Sequence, residues 1–115
     1  MKAKEFLGKE VKVKIDRKLG SRHPDYYDTI YKVNYGYVPG VISGDGEDLD
    51  CFVLGVEEPL DEYIGECIAV IHRTNDDDDK LILVPKGYNY TDEQIEKEIS
   101  FLEKYFEHII IRKED

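Results

Sequence analysis

Four carboxylates fall within six residues of this chain. Asp45, Glu47, Asp48 and Asp50 stand in GVISGDGEDLDCFVL (residues 40–54), a Gly-punctuated turn between two apolar stretches. Carboxylates that close repel one another unless a cation sits among them. Hard oxygen ligands at this density suit Mg²⁺, Mn²⁺ or Ca²⁺ better than zinc. Both flanks read as strands, so the cluster is held on rigid elements. The plain alternative is a solvated turn, since Asp-Gly dipeptides are common in hairpins. The alternation favours the metal, because it brings Asp45, Glu47 and the edge of Asp50 together while Leu49 and Phe52 face the core. An EF-hand is excluded, because its sixth loop position needs Gly and that position is Asp50 here.

A second acidic run, NDDDDK (residues 75–80), precedes the apolar KLILV. Alone, such a run reads as a solvated turn. If both acidic turns lie at the same end of one barrel, Asp76 or Asp78 completes the coordination begun by Asp45 and Asp50. Lys80 is then poised for a phosphate oxygen. The segment DRKLGSRHP (residues 16–24) gathers Arg17, Ser21, Arg22 and His23 just after a strand. It reads either as a surface loop or as a phosphate clamp, Arg forks matching phosphate geometry. His23 and His72 are not at metal spacing from each other. Tyr35, Tyr37 and Tyr105 read as core by composition, although a Tyr at a barrel mouth can bury its ring and offer its hydroxyl to phosphate.

The elements that must position these groups are mostly strands. Residues 10–16 alternate Val11, Val13 and Ile15 with charged residues, the period-two pattern of a half-buried strand. Strands are further expected at 29–38, 50–56, 66–72 and 80–84, with turns at Pro39-Gly40 and at 75–79, and an acidic loop at 57–65. One helix is expected from Thr91 to about Phe106. Thr91 and Gln94 form a capping box, Asp92 and Glu93 favour the positive dipole end, and Ile95, Ile99, Leu102 and Phe106 share a face. A last strand at 108–112 could close the sheet. Five or six short strands at this spacing predict a mainly β protein, an OB-like closed five-to-six-stranded β-barrel with a C-terminal α-helix.

At 115 residues the chain is expected to be a single domain, 1–115, with one modest core. The formal charge is −10, from 26 acidic and 16 basic residues. That balance disfavours nonspecific binding to nucleic acid or to an anionic membrane, both of which need basic surface. A polyanionic substrate stays compatible, since a metal locally inverts the field it meets. Cys51 and Cys67 sit in apolar runs without zinc spacing, as buried thiols of a reducing compartment do. The N-terminal residues lack the apolar stretch of a signal peptide, and no run approaches the ~20 apolar residues of a membrane span. A cytoplasmic protein is expected.

The run NYGYVPG (residues 34–40), followed by SGDGEDLDCFVL (43–54), resembles the family I soluble inorganic pyrophosphatases. The acidic turn ending in Lys80-LILVP and the helix carrying FLEKYF (101–106) agree more weakly, so the likeness spans roughly residues 10–110. The resemblance implies Mg²⁺-dependent hydrolysis of pyrophosphate, with Mn²⁺ as a possible substitute and homo-oligomers as the common assembly. It implies Asp45, Asp50 and Asp78 as metal ligands, with Asp50 bridging two ions. Glu47 falls at the water-activating carboxylate, and Tyr35, Lys80 and Tyr105 at substrate phosphate contacts. Asp16 corresponds to the first-strand acid, and a further acidic ligand falls near Asn75 or Asp76. The chain also departs from the pattern. Glu47 replaces an Asp, Phe106 stands in place of a phosphate-binding Lys, and DRKLGSRHPDYYD replaces a hairpin bearing a Lys, a Glu and an Arg. Arg17, Arg22 or Lys32 could substitute. The rival readings are a noncatalytic or altered-substrate member and an OB-type binding module, the latter needing a basic groove with exposed aromatics.

Overall fold

Val11, Val13 and Ile15 of the first strand are buried and the residues between them exposed, as the alternation requires. A computed structural model describes residues 2–26, 28–44, 46–75 and 78–113. It contains β1 (Glu10–Arg17), β2 (Asn34–Ile42), β3 (Asp48–Val53), β4 (Glu62–Arg73), β5 (Asp78–Val84), α1 (Asp92–Glu103) and β6 (His108–Ile111), after a 3-10 turn at Lys2–Phe6. The strands pair in the order β1-β2-β3-β5-β4, and β4 returns to β1. The result is a closed five-stranded barrel of OB type, with β3 and β5 its parallel pair. Closure falls to the β1–β4 pairing. β6 pairs with β4 alone and lies outside the barrel, which corrects the expectation that it closes the sheet.

Two apolar layers follow from the period of two. Val11, Val13, Ile15, Cys51, Val53, Cys67, Val70, Leu81 and Leu83 fill the barrel. Phe52, Leu54, Ala69, Ile71, Ile82 and Val84 point outward from three of the same strands, under Ile95, Ile99 and Leu102 of α1. β5 is buried along its whole length because one face lines the barrel and the other lies under the helix. Thr91 caps α1 with the expected reciprocal bonds to Gln94, a capping arrangement that contributes ~1 kcal/mol. The helix stops at Glu103, so Phe106 lies beyond it and not on its apolar face.

Several boundaries differ from expectation. Residues 29–33 are rich in Tyr, Val and Ile yet form a loop, tied by a single bridge between Arg22 and Ile30. The β2 ladder starts at Asn34, whose buried side chain bonds Leu19 N, Leu60 N and Glu58 O and so pins two loops. Pro39 and Gly40 are not a turn but part of β2, where the register against β3 slips between Tyr37 and Ile42. Gly40 takes φ +78° there. The stretch 62–65, expected as loop, is the start of β4. Asp78 and Asp79, expected in a turn, are buried strand residues because Arg73 and His72 of β4 meet their carboxylates. β3 opens at Asp48 and ends at Val53, earlier than expected at both ends.

Candidate functional site

One row of outward-facing side chains crosses the sheet as Tyr35, Phe52, Ile82 and Ala69, and α1 covers it. Beyond this row the helix ends and the same face becomes polar. Asp50 pairs with Lys80 across the parallel β3–β5 ladder, and Asp78 with Arg73 across β5–β4. Together with Asp16, Arg17, His23 and Tyr31 these residues line a cavity of about 340 Å³.

Two β-bulges aim side chains into it. On β1, Ile15 faces Gly36 and Arg17 faces Tyr35, so Asp16 is the extra residue and Arg17 comes into line with Tyr35. On β4, Cys67 faces Leu83 and Ala69 faces Ile82, so Ile68 is extra and the alternation changes phase. Cys67 therefore points into the barrel, while Ala69, Ile71 and Arg73 face the helix side. Bulges at barrel rims commonly re-aim side chains in this way.

The polar contacts form a continuous chain. The Tyr35 hydroxyl donates to Asp50 Oδ2 at 2.9 Å. Lys80 Nζ donates to the same oxygen at 2.9 Å and to Asp78 Oδ2 at 2.7 Å. Arg73 Nη1 donates to Asp78 Oδ2 at 3.2 Å, and its Nε and Nη2 hold Glu103 at 3.1 and 2.5 Å. The guanidinium lies over the Phe106 ring, 3.6 Å from its centroid. Lys80 is 2% exposed and Glu103 fully buried, so both charges depend on these partners. Burial pushes the Tyr35 hydroxyl well above its usual pKa, reinforced by the Asp50 charge and hydrogen bond. Burial works against the Arg73 charge, but the Glu103 hydrogen bond and charge outweigh it and hold its pKa raised. The Asp16 carboxyl is raised by burial, with the Asp50 and Asp48 charges pushing the same way and Arg17 opposing.

Of the residues singled out from sequence, Asp16, Arg17, Tyr35, Asp50, Asp78 and Lys80 come together on this wall. Asp45 and Asp76 lie outside the described residues. Glu47 is exposed on the turn leading into β3 and is not part of the wall. Lys32 lines a separate groove with Lys97 and Lys104. Tyr105 bonds Thr29 Oγ1 at 3.2 Å and stacks on Tyr26, which itself lines the cavity, so Tyr105 stands behind the wall. The sequence reading missed Arg73, Glu103 and Tyr31. The one available signal for Arg73 was its position two residues after Ile71 at the end of an apolar strand, facing the acidic run.

The wall's donor chemistry fits a hard divalent cation. Both bonds to Asp50 fall on Oδ2, leaving Oδ1 for a ligand, and Asp16 stands on the same cavity wall. Among the described residues, however, no three His, Cys, Asp or Glu side chains converge as a ready cage. The Lys80 ammonium occupies the position between Asp50 and Asp78.

A family model described as Inorganic pyrophosphatase matches residues 6–112. The inorganic pyrophosphatase of Aeropyrum pernix is 31% identical over 72% of this chain and 46% of its own length, so the chain spans about half of that curated relative. The crystal structure of inorganic pyrophosphatase from Ehrlichia chaffeensis superposes with a TM-score of 0.70 at 20% identity, covering 89% of this chain and 84% of that one. The enzyme structure from Neisseria gonorrhoeae gives 0.63 at 21% identity, covering 85% and 74%. At such identities the structural likeness establishes the fold.

Proposed function

Because the chain belongs to the inorganic pyrophosphatase family, we propose that it hydrolyses inorganic pyrophosphate to two phosphates with Mg²⁺, or Mn²⁺ in its place. The observation that carries this reading is the interleaving on one cavity wall of carboxylates (Asp16, Asp50, Asp78) with cations (Arg17, Arg73, Lys80). A diphosphate needs both kinds of group, cations for its oxygens and hard carboxylates for the metal that accompanies it. Asp50 and Asp16 would hold the ion, with Asp78 at the acidic end of the cavity. Asp45 and Asp76 are the further ligands that the family resemblance implies. Bound there, Mg²⁺ would acidify a water molecule and offset diphosphate charge.

The protein's own groups do the rest in this scheme. Water attacks one phosphorus in line and gives its proton to a carboxylate. Glu47, which the family resemblance assigns to this role, stands on the exposed turn into β3 and would have to swing toward the cavity to take it. The bridging P–O bond breaks, and the leaving phosphate carries the electron pair away. Lys80 and Arg17 offset the charge gathering on phosphoryl oxygens, in a site where such groups need no reorganisation. Tyr35, locked to Asp50, keeps that carboxylate oriented and remains neutral. Tyr105 stands behind the wall and Lys32 in a separate groove, which makes both weaker contributors than Lys80. The absence of a membrane-crossing helix among the described residues and the acidic charge are compatible with a cytoplasmic enzyme. Assembly as a homo-oligomer belongs to the same proposal.

Phosphate release from pyrophosphate in Mg²⁺, comparing wild type with Asp50→Asn, tests the reading. Release by wild type and at least ~100-fold less by the variant is expected if Asp50 acts in the chemical step. No metal-dependent release by wild type would sink the enzyme assignment. Release from a nucleoside diphosphate alone would keep the chemistry and change the substrate. Tight binding of single-stranded DNA would favour the OB-type module.

A further inference from the structure

Arg73 was invisible as a site residue in the sequence, and the fold invests heavily in its placement. The β4 bulge at Ile68 turns it to the helix side, where it lines the cavity at 7% exposure. Glu103, fully buried in the last turn of α1, takes two of its N–H groups and Asp78 a third. The Phe106 ring covers one face of the guanidinium. An acidic residue at a helix C-terminus is unfavourable with the dipole, and α1 has no basic residue in its last turn. Arg73 is the cation that makes Glu103 tolerable.

A strut of that kind needs only the fork to Glu103. Arg73 does more, because it also reaches across to Asp78 and lines the cavity. Of the five N–H donors of a guanidinium, the three bonds above leave two without a protein acceptor among the described residues. A planar cation that cannot deprotonate, fixed by a carboxylate and a ring, is a preorganised oxyanion receptor.

We propose that Arg73 is a substrate-binding residue, a built-in cation that donates its two remaining N–H groups to a phosphoryl oxygen of the diphosphate. This rests on the pyrophosphate reading above. Charge that a mobile ion would otherwise bring to the Asp78 end of the cavity is supplied there by the chain itself, through Arg73 and Lys80 together.

The probe is methylenediphosphonate, a diphosphate analogue that is not hydrolysed, titrated calorimetrically in Mg²⁺ into wild type, Arg73→Lys and the double variant Arg73→Gln/Glu103→Gln. The double variant replaces the ion pair by two neutral amides and leaves no buried charge unpaired, and its circular dichroism and melting report folding. Loss of a charged fork to an oxyanion should weaken the analogue by about 10- to 100-fold in the double variant, with a similar rise in KM for pyrophosphate. Arg73→Lys, which keeps the charge and loses the fork, should fall between. It carries the test if the double variant does not fold. Folded variants that bind within about twofold of wild type, or a wild type that does not bind the analogue, overturn the inference and leave Arg73 a strut. If wild type releases no phosphate yet binds the analogue through Arg73, the hydrolase reading falls and the receptor stands.

Discussion

Replacing Lys80 by Met keeps the volume of the side chain and removes its charge. The ammonium is 2% exposed and donates to Asp50 and Asp78 at 2.9 and 2.7 Å. Two hydrogen bonds to charged groups at ~1.5–3 kcal/mol each give about 3–6 kcal/mol. Deleting one partner of a buried ion pair costs ~3–5 kcal/mol, which brackets the same range. Two observations move the expectation to its lower end. The Asp50 side chain is 27% exposed, so water can take over part of its solvation, and Asp78 keeps Arg73 at 3.2 Å. A loss of ~3 kcal/mol is therefore expected, a large share of the ~5–15 kcal/mol typical of a domain. Urea unfolding at pH 7 measures it, followed by tyrosine emission because the chain has nine Tyr and no Trp. The midpoint should fall by roughly 1–3 M. A drop below ~0.5 M would refute the idea that Lys80 is what makes these carboxylates tolerable. Combining Lys80→Met with Asp50→Asn should cost less than the sum of the two, by ~1–2 kcal/mol, since the pair is in direct contact.

Other expectations concern the frame around the site. His108 is disfavoured as a cation by burial, but its hydrogen bond and charge interaction with Glu96, 2.6 Å away, more than compensate and raise its pKa. A raised folded pKa stabilises fully below the ordinary value near 6.5 and ceases to do so as pH rises through the folded value. Wild type should thus exceed His108→Asn in melting temperature most at pH 5.5, with the gap closing by pH 8.5; a gap independent of pH would contradict this. Gly36→Ala would set a methyl 1.9 Å from the Lys14 carbonyl oxygen in the β1–β2 ladder. A cost of at least ~2 kcal/mol is expected by chemical denaturation, and a neutral variant would mean the two strands separate freely. Burial raises both thiols, Cys67 to about 12 and Cys51 further. Neither should react with a water-soluble disulfide reagent in minutes until the protein is unfolded, and prompt labelling of the native protein would argue against a closed barrel.

What the sequence made legible was local. The Thr91 capping box lies within four residues, and the alternation of β1 within seven, so neither needs tertiary information. The site was legible where residue type alone implies chemistry, as with Asp50 and Lys80, whose cross-strand pairing follows once β3 and β5 run parallel. Long-range charge compensation was not. Asp78 and Asp79 look like turn residues until Arg73 and His72 on the neighbouring β4, with Lys80 of their own strand, meet them as hydrogen-bonding partners. Residues 29–33 have strand composition but are held as a loop by the bridge at Ile30 and the stacking of Tyr31 on its neighbours. Bulges were illegible for the same reason, since an extra residue is defined only against a partner strand. Both of those described on β1 and β4 change which side chains meet the cavity.

The bulge at Ile68 makes the site depend on counting as well as on chemistry. The half of β4 before it is anchored to β1, and the half after it carries Arg73 outward and His72 inward. Closing the ladder with Ile68 kept in register opposite Ile82 would exchange the parity of everything downstream, presenting an imidazole to the cavity and driving a guanidinium into an apolar barrel. Deleting Ile68 altogether would instead leave Ala69 opposite Ile82 and Arg73 still outward. Along β4, the place where the ladder slips decides which side chains meet the cavity as firmly as their identity does.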